Sequence, residues 1–159
     1  MLKLKGKELK ESILLKEYFG EKVIHVLVME GRLKTIPPRL LTEKVMLSKA
    51  RGGYTPMHYV VMNPETMKEL PAPLWKKKYL IEKNRSGESA LQMAGRRATL
   101  NNIPLERIKE KLWEKEEIEE LQKAIILQRK TGQTCPKAES LLAKLMNYGE
   151  MKKEEGIEM

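Results

Sequence analysis

The sequence predicts an all-α fold made of short helical units that repeat along the chain. The main observation is a set of three glycines, Gly20, Gly53 and Gly87, which lie 33 and 34 residues apart. Each of them opens a similar six-residue stretch. A period near 33 residues that keeps its register indicates stacked supersecondary units rather than one globular core. No segment alternates cleanly between apolar and polar residues over six positions, so we expect no extended sheet.

The same interval recurs in other parts of the sequence. An Ile-Pro or Leu-Pro step comes later in each unit, and its prolines are 34 and 33 residues apart: Pro37, Pro71 and Pro104. Proline cannot continue a helix, so each should stop or kink the second helix of its unit. The second unit has one extra residue near Asn63, where we expect a loop that tolerates an insertion.

The second unit contains the clearest local signal. In Gly53-Tyr-Thr-Pro-Met-His58, Thr55 is a good helix N-cap and Pro56 suits the first helical position. Gly31 can end the first helix of unit one in a left-handed conformation. These residues resemble the ankyrin repeat, whose pattern is Gly, Thr-Pro-Leu-His, a helix, a Gly turn and a second helix. The resemblance implies a short α-solenoid over residues 20–104, divided into units 20–52, 53–86 and 87–104 onward.

Both ends of the chain are predicted to cap this stack. Residues 1–19 should form an N-terminal capping helix, running from Glu8 to Phe19. Residues 105–148 should form a C-terminal helical hairpin, with one helix from Glu114 to Lys130 and another from Pro136 to Met146. The stripe of the first of these helices is predicted at Ile118, Leu121, Ile125 and Ile126. Residues 149–159 are predicted to be a disordered, charged tail.

Composition is consistent with small interfaces rather than a large core. The chain has 159 residues, of which 41% are hydrophobic and 5% aromatic. A single cysteine, Cys135, excludes a disulfide framework and favours a reducing, cytoplasmic location. We expect Cys135 to be a small packing residue before a helix start. No run of 18 apolar residues occurs, so no membrane insertion is expected.

Catalytic chemistry is not predicted. The chain contains no aspartate and only two histidines, His25 and His58, at equivalent positions of successive units. Neighbouring helices lie about 8–10 Å apart, so these imidazoles would be too far apart to share a zinc ion. We expect each histidine to bond backbone in a loop and join neighbouring units, with Gln92 keeping one such bond in unit three. No enzyme activity, catalytic residue, metal or cofactor is therefore predicted.

The positive charge is concentrated in the amino-terminal two thirds of the chain. Net charge is +9, made of +6 in residues 1–52, +4 in residues 53–104 and −1 in residues 105–159. Such a field attracts an acidic protein or a nucleic acid. Excess lysine also simply keeps a protein soluble.

The resemblance implies that loop tips and the exposed side of each first helix form a concave binding surface. Four arginines of this surface have no evident acidic neighbours, and they lie beside methionine and tyrosine residues. This combination favours an acidic protein partner. The alternatives are a nucleic-acid-binding surface, methionines that only fill gaps against the helical ends, and an enzyme of unrecognised type. The predicted partner-binding residues are Val26, Met29, Arg51, Tyr54, Tyr59, Met62, Arg85, Glu88, Met93, Arg96 and Arg97.

Overall fold

The structure is a computed structural model that describes residues 10–108 and 113–154, with side chains described as far as Asn147. This part of the chain is mostly helical, so the predicted all-α class is confirmed. Its α-helices are α1 (Glu11–Leu14), α2 (Val23–Met29), α3 (Glu43–Met46), α4 (Pro56–Val60), α5 (Pro64–Glu69), α6 (Lys77–Ile81), α7 (Ala90–Arg96), α8 (Lys115–Lys130) and α9 (Pro136–Glu154). Short 3₁₀ turns lie between them at Leu33–Thr35, Pro38–Leu40, Arg51–Gly53, Ala72–Leu74, Leu100–Asn102 and Leu105–Arg107.

The amino-terminal end differs from its prediction. Helix α1 ends at Leu14, and the chain then forms a hairpin of two short antiparallel strands, β1 (Glu17–Tyr18) and β2 (Glu21–Lys22). The predicted helix to Phe19 is therefore wrong beyond Leu14, and residues 1–9 lie outside the described residues. Phe19 and Gly20 have φ angles of 54° and 87°. Two successive left-handed residues make a tight hairpin tip and cannot continue a helix.

Polar caps explain where several helices begin. Thr55 precedes α4, whose first residue is Pro56, as predicted. Before α7, the Ser89 hydroxyl accepts a hydrogen bond from the Gln92 N–H at 3.1 Å. Thr42 and Asn63 accept equivalent bonds at the starts of α3 and α5. These caps satisfy N–H groups that the helices leave unpaired.

The three repeated glycines share one backbone conformation. Gly20, Gly53 and Gly87 have φ angles of 87°, 79° and 80°, a region that side chains strongly disfavour. Their loop tips are also bonded in series, because the Arg51 N–H donates to Gly20 O and the Arg85 N–H donates to Gly52 O, each at 2.8 Å. The loop tips of residues 17–22, 50–54 and 84–88 therefore lie side by side.

The repeated prolines also have equivalent surroundings. The residues before them, Ile36, Leu70 and Ile103, are extended, with ψ angles of 124°, 123° and 126°, and all three are buried. A residue before proline is pushed out of the helical region, so the short second helix stops there, as predicted. In unit two this helix is α5, while units one and three have a 3₁₀ turn. The extra residue of unit two thus lies at the start of a longer second helix.

The first helices of the units pack in chain order. Helix α2 contacts α4, α4 contacts α7, α7 contacts α8, and α8 contacts α9. The buried side chains of these helices form one continuous apolar core with those of α3, α5 and α6. The predicted C-terminal hairpin is therefore present, and it is joined to the rest of the chain mainly through α7 and α8.

Two details of the hairpin differ from the prediction. Ile126 is 54% exposed, so its place in the buried stripe is wrong, while Ala124 and Gln128 of the same helix are buried. Helix α9 continues through position 149 to Glu154, where a disordered tail was predicted. Lys, Glu and Met are strong helix formers, and one internal glycine lowers helix stability by only about 1 kcal/mol. Residues 155–159 lie outside the described residues.

Candidate interaction surface

An open cleft lies between the loop tips described above. It has a volume of about 470 Å³, and we call it the tip cleft. Its lining residues are Glu17, Gly20, Lys49, Ala50, Arg51, Gly53, Asn84 and Arg85. Three of these side chains are cationic and one is a carboxylate, which leaves a formal charge of +2. Two of the lining residues, Arg51 and Arg85, were predicted to bind a partner, so the structure brings these two arginines to one cleft.

Arg51 is held in place by the hairpin tip. Its Nη2 donates to Phe19 O at 3.2 Å, and a β-carbon at Gly20 would lie 2.7 Å from its Nε. Gly20 thus leaves room for the guanidinium to lie over the tip. Arg85 is exposed, and neither arginine has an ion-pair partner among the described residues. The cleft therefore presents two arginine charges that no nearby carboxylate neutralises.

The other two charges in the cleft already have partners. The Lys49 ammonium donates to Lys83 O at 3.0 Å and lies 2.9 Å from a Glu82 carboxylate oxygen. Glu17 lies 3.7 Å from the Lys22 ammonium. The net attraction for an anion thus comes mainly from the two arginines.

Asn84 lines the cleft and has an incomplete set of hydrogen bonds. Its Oδ1 accepts from the Ser86 and Glu88 N–H groups, each at 3.0 Å. Because both of those groups are donors, the oxygen of the amide must face them. The Nδ2 atom consequently points away from that turn, and it is buried without a hydrogen-bond partner. An amide N–H left unpaired in this way is destabilising and uncommon in folded proteins.

A row of aromatic rings joins unit one to unit two. Tyr54 and Tyr59 are stacked with ring centroids 5.6 Å apart, and both are half-buried. The buried imidazoles pack edge-on against them, His58 against Tyr54 at 5.5 Å and His25 against Tyr59 at 5.7 Å. Two of the tyrosines predicted to bind a partner thus form one rigid apolar surface with polar hydroxyl ends.

Tyr59 also has a polar contact with the amino-terminal hairpin. Its hydroxyl donates to a Glu21 carboxylate oxygen at 3.4 Å. Burial, followed by the nearby Glu21 charge, raises the pKa of Tyr59 to about 12. Tyr59 therefore stays neutral at physiological pH and acts as a hydrogen-bond donor.

The remaining predicted contact residues have mixed positions. Met29 is 50% exposed, Val26 and Met62 are half-buried, and Arg97 is exposed. Met93 is fully buried in the core, so its prediction as a partner-binding residue is wrong. Its place in the helical pattern predicted an outer position, but its side chain packs in the continuous apolar core.

Arg96 and Glu88 are a pair rather than two free contacts. Arg96 Nε and Nη2 donate to the two Glu88 carboxylate oxygens at 2.8 and 3.0 Å. Four arginines without acidic neighbours were predicted, and Arg96 does not fit that description. Nothing in the sequence indicated this pair, because its residues lie eight positions apart, with Glu88 just before the N-cap of α7 and Arg96 as its last residue.

His58 has a structural role, as predicted. Its Nδ1 accepts from the Thr55 N–H at 3.1 Å and lies 2.9 Å from the Thr55 hydroxyl. Its Nε2 lies 2.9 Å from Glu88 O in the next unit. Since a carbonyl only accepts, the ring is neutral with its proton on Nε2. Burial is the main cause that lowers the pKa of His58.

His25 makes fewer bonds than His58. Its Nε2 lies 3.1 Å from Ser48 O, but its Nδ1 is buried without a partner. The position that corresponds to Thr55 is Lys22, which has no hydroxyl to offer. Burial, only partly offset by the Ser48 carbonyl, lowers the pKa of His25 to about 4. Both imidazoles are therefore neutral at physiological pH.

Gln92, at the third equivalent position, bonds differently from its prediction. Its side-chain amide donates to a Glu120 carboxylate oxygen at 2.7 Å rather than to a loop carbonyl. Burial opposes ionisation of Glu120, but hydrogen bonds from Ser89, Gln92 and Lys123 outweigh it and lower its pKa. Gln92 thus joins unit three to α8 of the hairpin.

Among the residues of this surface that sequence reasoning missed are Phe19, Lys49 and Asn84. Phe19 is 95% exposed at the hairpin tip, beside the cleft. It is the only phenylalanine of the chain and directly precedes a repeated glycine, which was a usable signal. Asn84 also had a signal, because asparagine commonly closes a turn by bonding the backbone two residues on with its own side chain. Lys49 had none, since lysines are frequent throughout.

The other candidate groups have ordinary positions. Cys135 is buried directly before α9, as predicted, with its thiol 3.7 Å from a Glu139 oxygen. No group of three or more metal-binding side chains occurs among the described residues. The described helices also include none with enough length and apolar character to cross a bilayer.

Comparison with known proteins gave no match. No protein-family model, no curated protein and no solved structure is significantly similar to this chain.

Proposed function

We propose that this chain is a non-enzymatic interaction module that binds an acidic protein partner through an ankyrin-like repeat stack. The observation that carries the proposal is the combination of the tip cleft with the stacked Tyr54 and Tyr59 rings. Arginine pairs well with carboxylates, and tyrosine gives large contact area at a low entropic cost. Both kinds of residue are enriched in protein interfaces.

The repeat part of this proposal rests on local geometry. Gly20, Gly53 and Gly87 share a left-handed conformation at intervals of 33 and 34 residues. The Ala50 N–H donates to Tyr54 O, and 34 residues later the Asn84 N–H donates to Glu88 O. Units with equivalent turns and equivalent helix ends are the basis of solenoids, in which each unit contacts its neighbours.

The non-enzymatic part rests on how the reactive side chains are used. Both imidazoles are buried and bonded to backbone carbonyls, and the Cys135 thiol is buried with a raised pKa, mainly because of burial. A nucleophile or general base must reach its substrate. These groups instead support the packing of the units.

Charge reversal tests the proposal. We would immobilise the full chain and the variant R51E/R85E/R96E/R97E, and identify what each retains from a nuclease-treated extract at low and high salt. The matched control is K34E/R39E/R107E/K130E, which makes the same change in net charge at exposed positions elsewhere. The proposal predicts a protein that the wild type and the control retain and the surface variant loses.

Two results would contradict it. If the surface variant and the control variant both fail to retain the protein, its retention depends only on the overall charge of the chain. The same capture is repeated with extract that has not been treated with nuclease. Material that is retained only from the untreated extract would support the alternative of a nucleic-acid-binding surface, whose affinity falls steeply with salt.

A further inference from the structure

We infer that the tip cleft is a carboxylate-binding site, which receives acidic side chains of an extended peptide segment of the partner. This inference deepens the proposed function and rests on it. Three independent features of the cleft support it: its unneutralised arginines, the unpaired amide of Asn84, and the spacing of its loop tips.

The arginines set the charge of the ligand. Arg51 and Arg85 line the same cleft without ion-pair partners among the described residues, whereas Lys49 is already paired with Glu82. A guanidinium offers donors in a planar fork that matches a carboxylate. Arg51 is moreover held by Phe19 O, which lowers the entropy lost when it binds.

Asn84 supplies a donor that the protein itself leaves unused. The residue lines the cleft and is 6% exposed, and its Nδ2 is buried with no partner among the described residues. A small rotation of the side chain would present this N–H to an acceptor oxygen of the ligand in the cleft. Binding would then remove an unfavourable feature of the free protein. The ligand would therefore bind more tightly than it would to the two arginines alone.

The arrangement of the tips favours a peptide over a single small anion. Arg51 and Arg85 come from successive tips that are joined by backbone hydrogen bonds. Segments paired by backbone hydrogen bonds lie about 5 Å apart, and the long arginine side chains extend that reach. In an extended chain, side chains on one face are about 7 Å apart, since each residue advances about 3.3 Å. Carboxylates at alternate residues thus fit the two arginines, and a volume near 470 Å³ exceeds the need of one carboxylate.

Phe19 is 95% exposed at the hairpin tip that forms one wall of this site. It follows β1, which carries the lining residue Glu17, and precedes the lining residue Gly20. An apolar side chain of the peptide next to its acidic residues would cover this ring. The site therefore predicts an acidic segment that also contains an apolar residue.

Asn84→Asp is the sharpest test, because it separates binding from folding. Aspartate keeps the oxygen that accepts from the Ser86 and Glu88 N–H groups, but it replaces the unused donor with a second acceptor. It also places a negative charge beside two arginines. We expect weaker binding of an anion, with folding checked separately by unfolding in urea. Because the added charge alone weakens anion binding, the comparison is with Arg85→Gln, which lowers the net charge by the same amount.

The probe is a fluorescent hexaglutamate peptide, titrated against the full chain at low salt. The variants are Asn84→Asp and Arg85→Gln, and the matched control is Arg39→Gln, an exposed arginine outside the cleft. We expect Kd to rise about tenfold or more in both cleft variants, because each loses a charge-assisted hydrogen bond. Arg39→Gln should bind as the wild type does. If Asn84→Asp fails to fold, Arg85→Gln decides the test.

Other outcomes overturn the inference without affecting the proposed function. If the wild type, Arg85→Gln and Asn84→Asp bind the peptide equally, the cleft is not part of the interface. The proposed function would then still stand if partner capture depends on the surface arginines. Inorganic phosphate and a thymidine dodecamer are tested in the same way. If either binds more tightly than the peptide, and that binding depends on Asn84, the ligand of the cleft is not a carboxylate peptide. Failure of the proposed function would appear instead as loss of capture in both charge-reversal variants.

Discussion

Gly95 of α7 lies against the backbone of Ala124 in α8. A β-carbon at position 95 would be 2.1 Å from the Ala124 carbonyl oxygen, well inside contact distance. The two helices can approach this closely only because residue 95 has no side chain. This contact, together with the Gln92–Glu120 hydrogen bond, fixes how the C-terminal hairpin covers unit three.

Gly95→Ala should therefore destabilise the protein although alanine is the better helix former. Alanine gains about 1 kcal/mol in helix propensity, but overpacking commonly costs about 1–3 kcal/mol or more. With backbone as the obstacle, we expect a net loss of about 2 kcal/mol in the free energy of unfolding, measured in urea. The control is Gly132→Ala, which has a φ of 87° and open space around it. A smaller loss for Gly95→Ala than for Gly132→Ala would contradict the tight contact.

The Thr55–His58 pair should behave as one unit. Thr55→Ala removes the hydroxyl next to Nδ1, and we expect it to cost about 1–2 kcal/mol. His58→Ala leaves the buried Thr55 N–H without a partner and leaves Glu88 O with only the Asn84 N–H, so about 2 kcal/mol is expected. Because the two residues share one network, the double variant should lose less than the sum. Additive losses in urea unfolding would mean that the bonds act independently.

Stability should fall between pH 7.5 and 5.0 because of His25. Its pKa is lowered to about 4 in the folded protein, whereas the unfolded chain titrates near 6.5. The unfolded state thus binds more protons, and stability is lost as pH falls below 6.5, until the folded imidazole titrates near 4. The expected loss at pH 5.0 is about 2 kcal/mol from this residue. His58 acts in the same direction.

His25→Gln provides the check on this pH dependence. Glutamine does not titrate, and its amide can still donate to Ser48 O, as His25 Nε2 does. The variant should be less stable than the wild type at pH 7.5 and should lose less stability on acidification. Identical pH profiles of the two proteins in urea unfolding would show that His25 is not the group responsible.

Arg96 and Arg97 should contribute unequally to partner binding. Arg96 is engaged by both oxygens of Glu88, while Arg97 is exposed and has no ion-pair partner among the described residues. Arg97→Gln should weaken partner capture more than Arg96→Gln. Loss of the exposed Arg96–Glu88 pair should change the free energy of unfolding by less than about 1 kcal/mol. Stronger binding loss in Arg96→Gln would place the partner on the other side of α7.

Several elements of this fold followed from local chemistry in the sequence. Gly31 predicted a left-handed end of α2, the prolines predicted where second helices stop, and Thr55-Pro56 predicted the start of α4. Each of these depends on the backbone preferences of one or two residues, which neighbours in space rarely change. The ankyrin-like stacking itself stays a proposal, supported by the equivalent turns at the repeated glycines.

The tertiary structure alone decided the contents of the candidate site. Met93 occupies a helical position that looked exposed, but it is buried in the core, and Arg96 at the end of α7 pairs with Glu88 before its start. The tip cleft joins residues from three loops that are more than 30 residues apart, and the unused amide of Asn84 is evident only once its oxygen is placed. Local conformation is determined by the residues themselves, whereas burial and charge pairing depend on which distant segments come together.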